Sequence, residues 1–324
     1  MNQDLPPTGR ERVIGPDYVP APETVLRPEV PAGTVRAFVL RSTDSRIYPG
    51  IRRIDTAVTR RRDAFGNRIA AEAQDQSVAE PYLRTVWVYV PPGHSPSRPL
   101  PFLLVQDGHA FLNLVPRVLD NLIADGRVPA MAAILIDSGG GDAQGSQRGL
   151  EYDTVSGVYS DFIETEVLPR VMAETGLTLS DDPDRRATMG VSSGAACAFT
   201  MAWFHPERYR RVLSYSGTFV NQQSPPDPHS PRGAWEYHAT FIPQTDPKPL
   251  RVWLEVGEAD LHADDPEETW HNWPLANRRM AAALAARSYR YRFTFSRGGR
   301  HADSRVMAAT LPAALVWLWG DDPD

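Results

Sequence analysis

The segment Met189-Gly190-Val191-Ser192-Ser193-Gly194 decides the predicted fold of this chain. It follows a strand-like stretch and precedes an apolar, helix-like run that ends at Phe204. A G-x-S-x-G pattern alone also fits an ordinary turn, but between a strand and a helix it is typical of a nucleophile elbow. The segment therefore predicts Ser192 as a nucleophile. It also predicts that the backbone N–H of Ser193 faces a developing oxyanion.

Short apolar runs alternate with longer helical patterns on both sides of this segment, as expected for βαβ units. The strand-like runs are Phe102–Val105, Ala132–Ile136, Ala187–Val191, Val212–Tyr215, Val252–Val256 and Tyr289–Phe295. The helical patterns cover 111–124, 156–175, 193–204, 273–287 and 303–318. This alternation predicts an α/β class protein with an α/β-hydrolase fold, in which helices flank a mostly parallel central sheet.

The chain before this region is predicted to form an antiparallel edge of the sheet and an arm. Val35–Arg41, Ile51–Val58 and Leu83–Val90 have β-like patterns. Residues 1–33 are rich in proline and charge, which indicates an extended or disordered N-terminal arm. We therefore predict a single domain over 34–324, with an insertion around 218–249 that is rich in proline and aromatic residues.

A serine nucleophile needs a base and an acid, which follow it in the order Ser, Asp or Glu, His in hydrolases of this type. His301 follows a strand-like run and a Gly-Gly turn, which favours it as the base over a loop histidine without a role. Asp260 stands where the preceding strand ends and is the predicted acid, with Glu258 as the alternative. Asp303 is predicted to cap the last helix.

The second oxyanion donor is expected in the loop that follows the strand at 102–105. In that loop, Gly108 permits a tight turn and the N–H of His109 is the predicted donor. The His109 side chain either touches the substrate or makes only a loop contact. Asp107 is expected to fix the loop.

The composition and net charge of the chain exclude several classes of protein and of binding partner. The formal net charge of −6 argues against a nucleic-acid binder, and no apolar run is long enough for a membrane span. Cys197 is the only cysteine, which excludes an intramolecular disulfide. The acidic loop near His262 and His271 fits a solvated loop better than a cation site, so no metal and no cofactor are predicted. Without a signal-peptide pattern, a cytoplasmic location is expected.

Several motifs together resemble the putative-esterase family, which includes enterochelin esterases, feruloyl and acetyl-xylan esterases and the antigen 85 acyltransferases. They are Val88–Pro91, Leu103–Gly108, Arg148–Asp153, Met189–Gly194, Val256–Asp260 and Gly298–His301. The resemblance covers about residues 83–320 and implies a triad, two oxyanion donors and a residue lining the site. These are Ser192, Asp260 and His301, then the N–H groups of His109 and Ser193, and Arg148.

Two features of the resemblance leave alternatives open. Arg148 either lines the site or forms a salt bridge with Glu151 or Asp153. Arg300 stands between the Gly-Gly turn and His301, where the family usually has Gly-Gly-His. This residue is expected either to shift the imidazole or to place a cation beside the site.

The sequence thus predicts a serine carboxylic-ester hydrolase that acts through an acyl-enzyme on a small-molecule ester. A homo-oligomer is compatible with the sequence. An aromatic, siderophore or carbohydrate ester is the predicted substrate, because aromatic residues follow the nucleophile in the insertion and near the acid. They either line the cleft or pack in the core: Phe219, Trp235, Tyr237, Trp270 and Trp273. The alternatives are an acyltransferase with the same triad, a non-catalytic binding protein and a metal-dependent hydrolase.

Overall fold

The apolar runs of the sequence form the centre of a nine-stranded sheet. The computed structural model describes residues 11–53, 77–95, 98–141 and 145–320. The strands within them are β1 (Glu11–Ile14), β2 (Thr34–Arg41), β3 (Ile51–Arg53), β4 (Ser77–Ala79), β5 (Leu83–Val90), β6 (Phe102–Gln106), β7 (Ala132–Ile136), β8 (Arg186–Val191), β9 (Arg211–Tyr215), β10 (Arg251–Ala259) and β11 (Arg290–Arg300).

The order of the strands is β1-β11-β10-β9-β8-β6-β7-β5-β2, and β3 pairs with β4 in a separate two-stranded antiparallel sheet. All neighbours from β1 to β7 pair in parallel, whereas β5 and β2 add two antiparallel strands at one edge. The central strands β6 and β7 are buried over their whole length, as expected for strands covered on both faces. The predicted α/β-hydrolase fold is therefore confirmed.

Helices cover both faces of the sheet. They are α1 (Val115–Ala124), α2 (Gln147–Tyr152), α3 (Val158–Phe162), α4 (Leu168–Thr175), α5 (Ser193–Phe204), α6 (Ile242–Gln244), α7 (Trp273–Ala286) and α8 (Ser304–Trp319). One face packs against α1 and α8, and the other against α3, α4, α5 and α7, which gives two apolar cores. In the described part of the chain, no helix is both long and apolar enough to cross a membrane.

Local departures from the sequence prediction occur where short elements form. The predicted helix over 156–175 contains a π-helical stretch, Ile163–Val167, between α3 and α4. Helix α2 and strand β1 were not predicted, because six and four residues are too short to show a period. Of the predicted strand Ile51–Val58, β3 covers the first three residues, and 54–58 lie outside the described residues.

The insertion folds back onto the core instead of standing open above the sheet. Phe219, Trp235 and Tyr237 are all buried, and the rings of Phe219 and Tyr237 pack with those of α5. The ring centroid of Phe199 lies 5.0 Å from that of Tyr237 and 5.6 Å from that of Phe219. The Tyr237 hydroxyl donates to Thr200 Oγ1 at 2.7 Å, so its polar end is satisfied inside the core.

Candidate active site

Ser192 stands on a strained turn between β8 and α5. Its φ of 57° and ψ of −127° are costly for a non-glycine residue, at about 1–3 kcal/mol. A Cβ atom on Gly190 would lie 2.3 Å from the carbonyl of Gly194, so glycine is required there. The Ser192 N–H donates to Tyr215 O at 2.9 Å, which ties the turn to the neighbouring strand β9. The sharp turn presents the serine side chain at the carboxyl end of the sheet.

A chain of hydrogen bonds connects this serine to a buried carboxylate. His301 Nε2 lies 2.9 Å from Ser192 Oγ, and His301 Nδ1 lies 2.5 Å from Asp260 Oδ1. Asp260 is 4% exposed and accepts the N–H of Leu261 at 2.6 Å. With the Nδ1–H donated to the carboxylate, Nε2 is free to accept the serine proton.

Neither rival acid contacts the imidazole. The exposed Glu258 accepts the N–H of Gly298 at 2.9 Å. Asp303 caps α8 by accepting the N–H of Arg305, and the Arg305 guanidinium lowers the pKa of the Asp303 carboxyl to about 2. The Arg300 side chain is exposed, and its insertion before His301 does not keep the imidazole from Ser192.

Two hydroxyl side chains that were not predicted support these residues. The Thr218 N–H donates to Ser192 O at 3.1 Å, and its Oγ1 lies 3.3 Å from Ser192 Oγ. Ser216 Oγ accepts the N–H of Ala302 at 3.1 Å, directly after His301. Both residues follow β9, which lies next to β8. Their position directly after β9 is the sequence signal that could have identified them, because the carboxyl ends of parallel strands meet at one edge of a sheet.

A buried acid, Glu255, lies on β10, five residues before Asp260 in the chain. Glu255 is 3% exposed, and desolvation raises its pKa to about 8, with a smaller contribution from the negative charge of Asp260. The Ser296 hydroxyl and the N–H of Ser216 act in the opposite direction and lower this pKa. Glu255 therefore holds its proton over most of the neutral pH range.

The predicted oxyanion donors differ in availability. The Ser193 N–H begins α5 and has no acceptor among the residues that the structure describes. The His109 N–H, by contrast, donates to Asp137 Oδ1 at 3.0 Å, and His109 Nδ1 lies 2.8 Å from the same oxygen. The expectation that the His109 N–H faces an oxyanion stays a prediction, because in this conformation the Asp137 carboxylate, which follows β7, occupies that N–H.

Arg148 pairs with the residue just before the oxyanion loop. Its Nε and Nη2 lie 3.0 Å and 2.7 Å from the two carboxylate oxygens of Asp107. Asp107 has a left-handed conformation with φ of 53°, and the pair holds it there. Glu151 instead forms a buried ion pair with Arg84. Of the two expected salt-bridge partners of Arg148, Glu151 is thus engaged elsewhere, and the Asp153 alternative stays a prediction.

The predicted substrate-contacting tryptophans fall into different environments. Trp235 is 1% exposed and packs against His238 at 4.5 Å between ring centroids, so its place in a substrate wall is corrected to the core. Trp273 is buried too, but its ring centroid lies 6.1 Å from that of His301. Trp270 is half-buried, and the Arg232 guanidinium lies 5.6 Å from its ring.

The two histidines of the acidic loop near the site bond to different partners. His262 Nδ1 lies 2.9 Å from Asp265 Oδ2, and His271 Nδ1 lies 2.7 Å from the carbonyl oxygen of Thr269. Across 11–53, 77–95, 98–141 and 145–320, no group of three or more His, Cys, Asp or Glu side chains could hold a metal ion.

Comparisons with known proteins point to one family. A family model described as "Putative esterase" matches residues 81–318. The iron(III) enterobactin esterase of Dickeya dadantii is 29% identical in an alignment of 258 positions that covers 74% of this chain and 53% of that protein. The chain thus spans about half the length of that relative.

Solved structures share the fold. An enterobactin esterase from Shigella flexneri has a TM-score of 0.56 and 21% identity, with 73% of this chain and 56% of that chain covered. A ferulic acid esterase from Anaeromyces mucronatus has a TM-score of 0.58 and 13% identity, with 94% and 97% covered. At these identities the likeness concerns the fold.

Proposed function

The chain belongs to the family described as Putative esterase, and we propose that it is a carboxylic ester hydrolase with Ser192 as nucleophile. The observation that carries this proposal is the unbroken hydrogen-bond chain from Ser192 through His301 to Asp260. A strained serine, an imidazole and a buried carboxylate in this order are the parts that acyl transfer needs.

The proposed reaction has two steps. In the first, Ser192 Oγ attacks the ester carbonyl carbon while His301 Nε2 takes the serine proton. Asp260 stabilises the resulting imidazolium. The tetrahedral intermediate collapses, its C–O bond to the alcohol breaks, and His301 gives its proton to the leaving oxygen. In the second, water attacks the acyl-enzyme with the same proton transfers, which releases the acid and restores Ser192.

Stabilisation of the oxyanion is proposed to use the N–H groups of Ser193 and His109. The Ser193 N–H is available at the start of α5. The His109 N–H becomes available only when Asp137 releases it, so we propose that the substrate oxygen replaces the Asp137 carboxylate as acceptor. Each such donor contributes about 3–4 kcal/mol to the transition state in comparable enzymes.

For the substrate we propose an aromatic, siderophore or carbohydrate ester. The relatives support this range: one is named an iron(III) enterobactin esterase, and a structural neighbour is in complex with ferulic acid. The buried Trp273 lies beside the imidazole, with 6.1 Å between the two ring centroids, and the half-buried Trp270 stands three residues before it in the chain. We propose that these two rings supply the aromatic surface. Trp235 takes no part in this proposal.

The test is labelling with a fluorophosphonate probe, followed by peptide mapping. We expect the wild type to be labelled at Ser192 and the Ser192→Ala variant to lose both labelling and hydrolysis of p-nitrophenyl acetate, by at least about a thousandfold in kcat. Ser304→Ala is the matched control, because it makes the same serine-to-alanine change at an exposed residue of α8 outside the proposed triad. Labelling that persists in Ser192→Ala, or a folded wild type that does not react, would contradict the proposal.

A panel of esters then separates the substrate classes. Methyl ferulate, a dihydroxybenzoyl-serine ester and an acetylated xyloside are compared by kcat/KM, with a long-chain p-nitrophenyl ester as reference. We expect the preferred substrate among the first three. Preference for the long-chain ester would overturn the proposed substrate range while leaving the nucleophile in place.

A further inference from the structure

The N-terminal segment before the family match runs directly to the loop that carries His301. Strand β1 pairs in parallel with β11, with Glu11 opposite Phe293 and Ile14 opposite Ser296. Beyond this pairing, residues 15–18 pass over Arg297–Gly299, a bulge in β11 where the pairing with β10 shifts register and Gly298 has a φ of 63°. This turn within the strand precedes His301 by two residues. The family model begins at residue 81, so it does not include this contact.

Tyr18 contacts the turn on the side before His301. Its hydroxyl donates to the carbonyl oxygen of Arg297 at 2.5 Å. A Cβ atom on Gly299 would lie 3.2 Å from the Tyr18 oxygen, and one on Gly257 would lie 2.2 Å from Gly299 O. The turn is therefore enclosed between Tyr18 on one side and β10 on the other, with Glu258 accepting the N–H of Gly298 at 2.9 Å.

Tyr18 also contacts the side after His301. The guanidinium of Arg305 lies 5.5 Å from the centroid of the Tyr18 ring. Arg305 is bonded through Nε and Nη2 to the carboxylate of Asp303, the residue that caps α8. The Tyr18 side chain thus contacts residues on both sides of the five-residue segment Gly299–Asp303, which contains His301.

We propose that Tyr18 is a positioning residue that fixes the His301 loop against Ser192, an inference that rests on the proposed function. A displacement of a reacting group by about 1 Å can reduce the rate about a hundredfold, although the bonds lost lie outside the site. Tyr18 acts through the backbone of the loop. Its loss therefore lowers kcat, whereas KM, which reflects the substrate-binding surface, stays nearly constant.

Two Tyr18 variants and one control variant test this. Tyr18→Phe removes only the bond to Arg297, and we expect kcat for p-nitrophenyl acetate to fall about three- to tenfold; Tyr18→Ala also removes the ring, for a fall of about thirty- to a hundredfold. KM should stay within about twofold. Arg27→Gln is the control, since Arg27 anchors another part of the arm through two hydrogen bonds to Asp125 at 2.9 Å each. We expect its kcat to be that of the wild type.

A second measurement does not depend on turnover. In histidine-labelled protein, the proton on His301 Nδ1 reports its bond to Asp260 by NMR, and we expect its resonance to shift in Tyr18→Phe but not in Arg27→Gln. Wild-type kcat and an unshifted resonance in Tyr18→Ala would overturn the proposal. If the wild type hydrolyses no ester but the resonance shifts as expected, positioning by Tyr18 stands and the proposed function fails.

Discussion

Ser192 lies between two halves of the site that are assembled in different ways. The triad half contains His301 and Asp260, which follow β11 and β10, and its side chains bond directly to one another. The oxyanion half is the loop after β6, which residues from other elements hold: Arg148 binds the Asp107 carboxylate, and Asp137 accepts the backbone N–H of His109.

This difference matters for the proposed chemistry. The triad half has the hydrogen bonds that proton transfer requires before any substrate arrives. The oxyanion half has one of its two proposed donors bound to a carboxylate, so it must exchange one acceptor for another when the substrate binds. We therefore expect changes in the triad half to remove activity, and changes in the oxyanion half to tune it.

The largest effect is expected for Asp260→Asn in the triad half. The amide cannot hold the imidazole with its proton on Nδ1, and comparable replacements lower kcat about ten-thousandfold. The measurement is kcat for p-nitrophenyl acetate together with the rate of fluorophosphonate labelling. Glu258→Gln is the matched control, since Glu258 bonds to Gly298 and makes no contact with His301. A large loss in Glu258→Gln with near-normal Asp260→Asn would reverse the assignment of the acid.

The sequence predicted the residues of the triad half because each one follows a recognisable strand. Ser192, Asp260 and His301 come after β8, β10 and β11, and the carboxyl ends of parallel strands meet at one edge of a sheet. The structure brings these three side chains within hydrogen-bond distance. The confirmed fold was predicted from a different signal, the short apolar runs, which form the buried central strands.

Contacts between loops were not predictable in the same way. Asp137 reaches His109 because β7 lies next to β6, but nothing in the local pattern shows which donor a carboxylate will take. Likewise, Trp235 looked suitable for a cleft wall, yet it is buried because the insertion folds back over the core. Strand β1 is only four residues long and shows no period by itself.

An intermediate effect on stability is expected for Glu255→Gln, on the strand β10 that precedes Asp260. Burial raises the pKa of Glu255 from its ordinary 4.5 to about 8, so the folded state holds this proton more tightly than the unfolded state. The wild type should therefore lose stability as the pH rises from about 4.5 to about 8, by up to about 1.4 kcal/mol per pH unit. Glutamine carries no proton to lose, so the variant should gain stability relative to the wild type over this range.

Denaturant unfolding of both proteins at several pH values checks this prediction. The difference in the free energy of unfolding, variant minus wild type, should increase with pH by a few kcal/mol in total. A constant difference would mean that Glu255 has the same pKa in the folded and the unfolded protein, and that its carboxylate is ionised near Asp260 at neutral pH.

The smallest effect is expected in the oxyanion half, for Asp137→Ala. Removing the carboxylate frees the His109 N–H and takes a negative charge away from the developing oxyanion. In the wild type, the substrate must first break the hydrogen bond between the His109 N–H and Asp137. The variant avoids this cost of about 0.5–1.5 kcal/mol, so kcat for a neutral ester should rise about two- to tenfold. Asp137→Asn keeps an acceptor for the N–H but removes the charge, and we expect a smaller rise. If kcat falls in both variants, the carboxylate orders the loop for catalysis, and the His109 N–H is not the second donor.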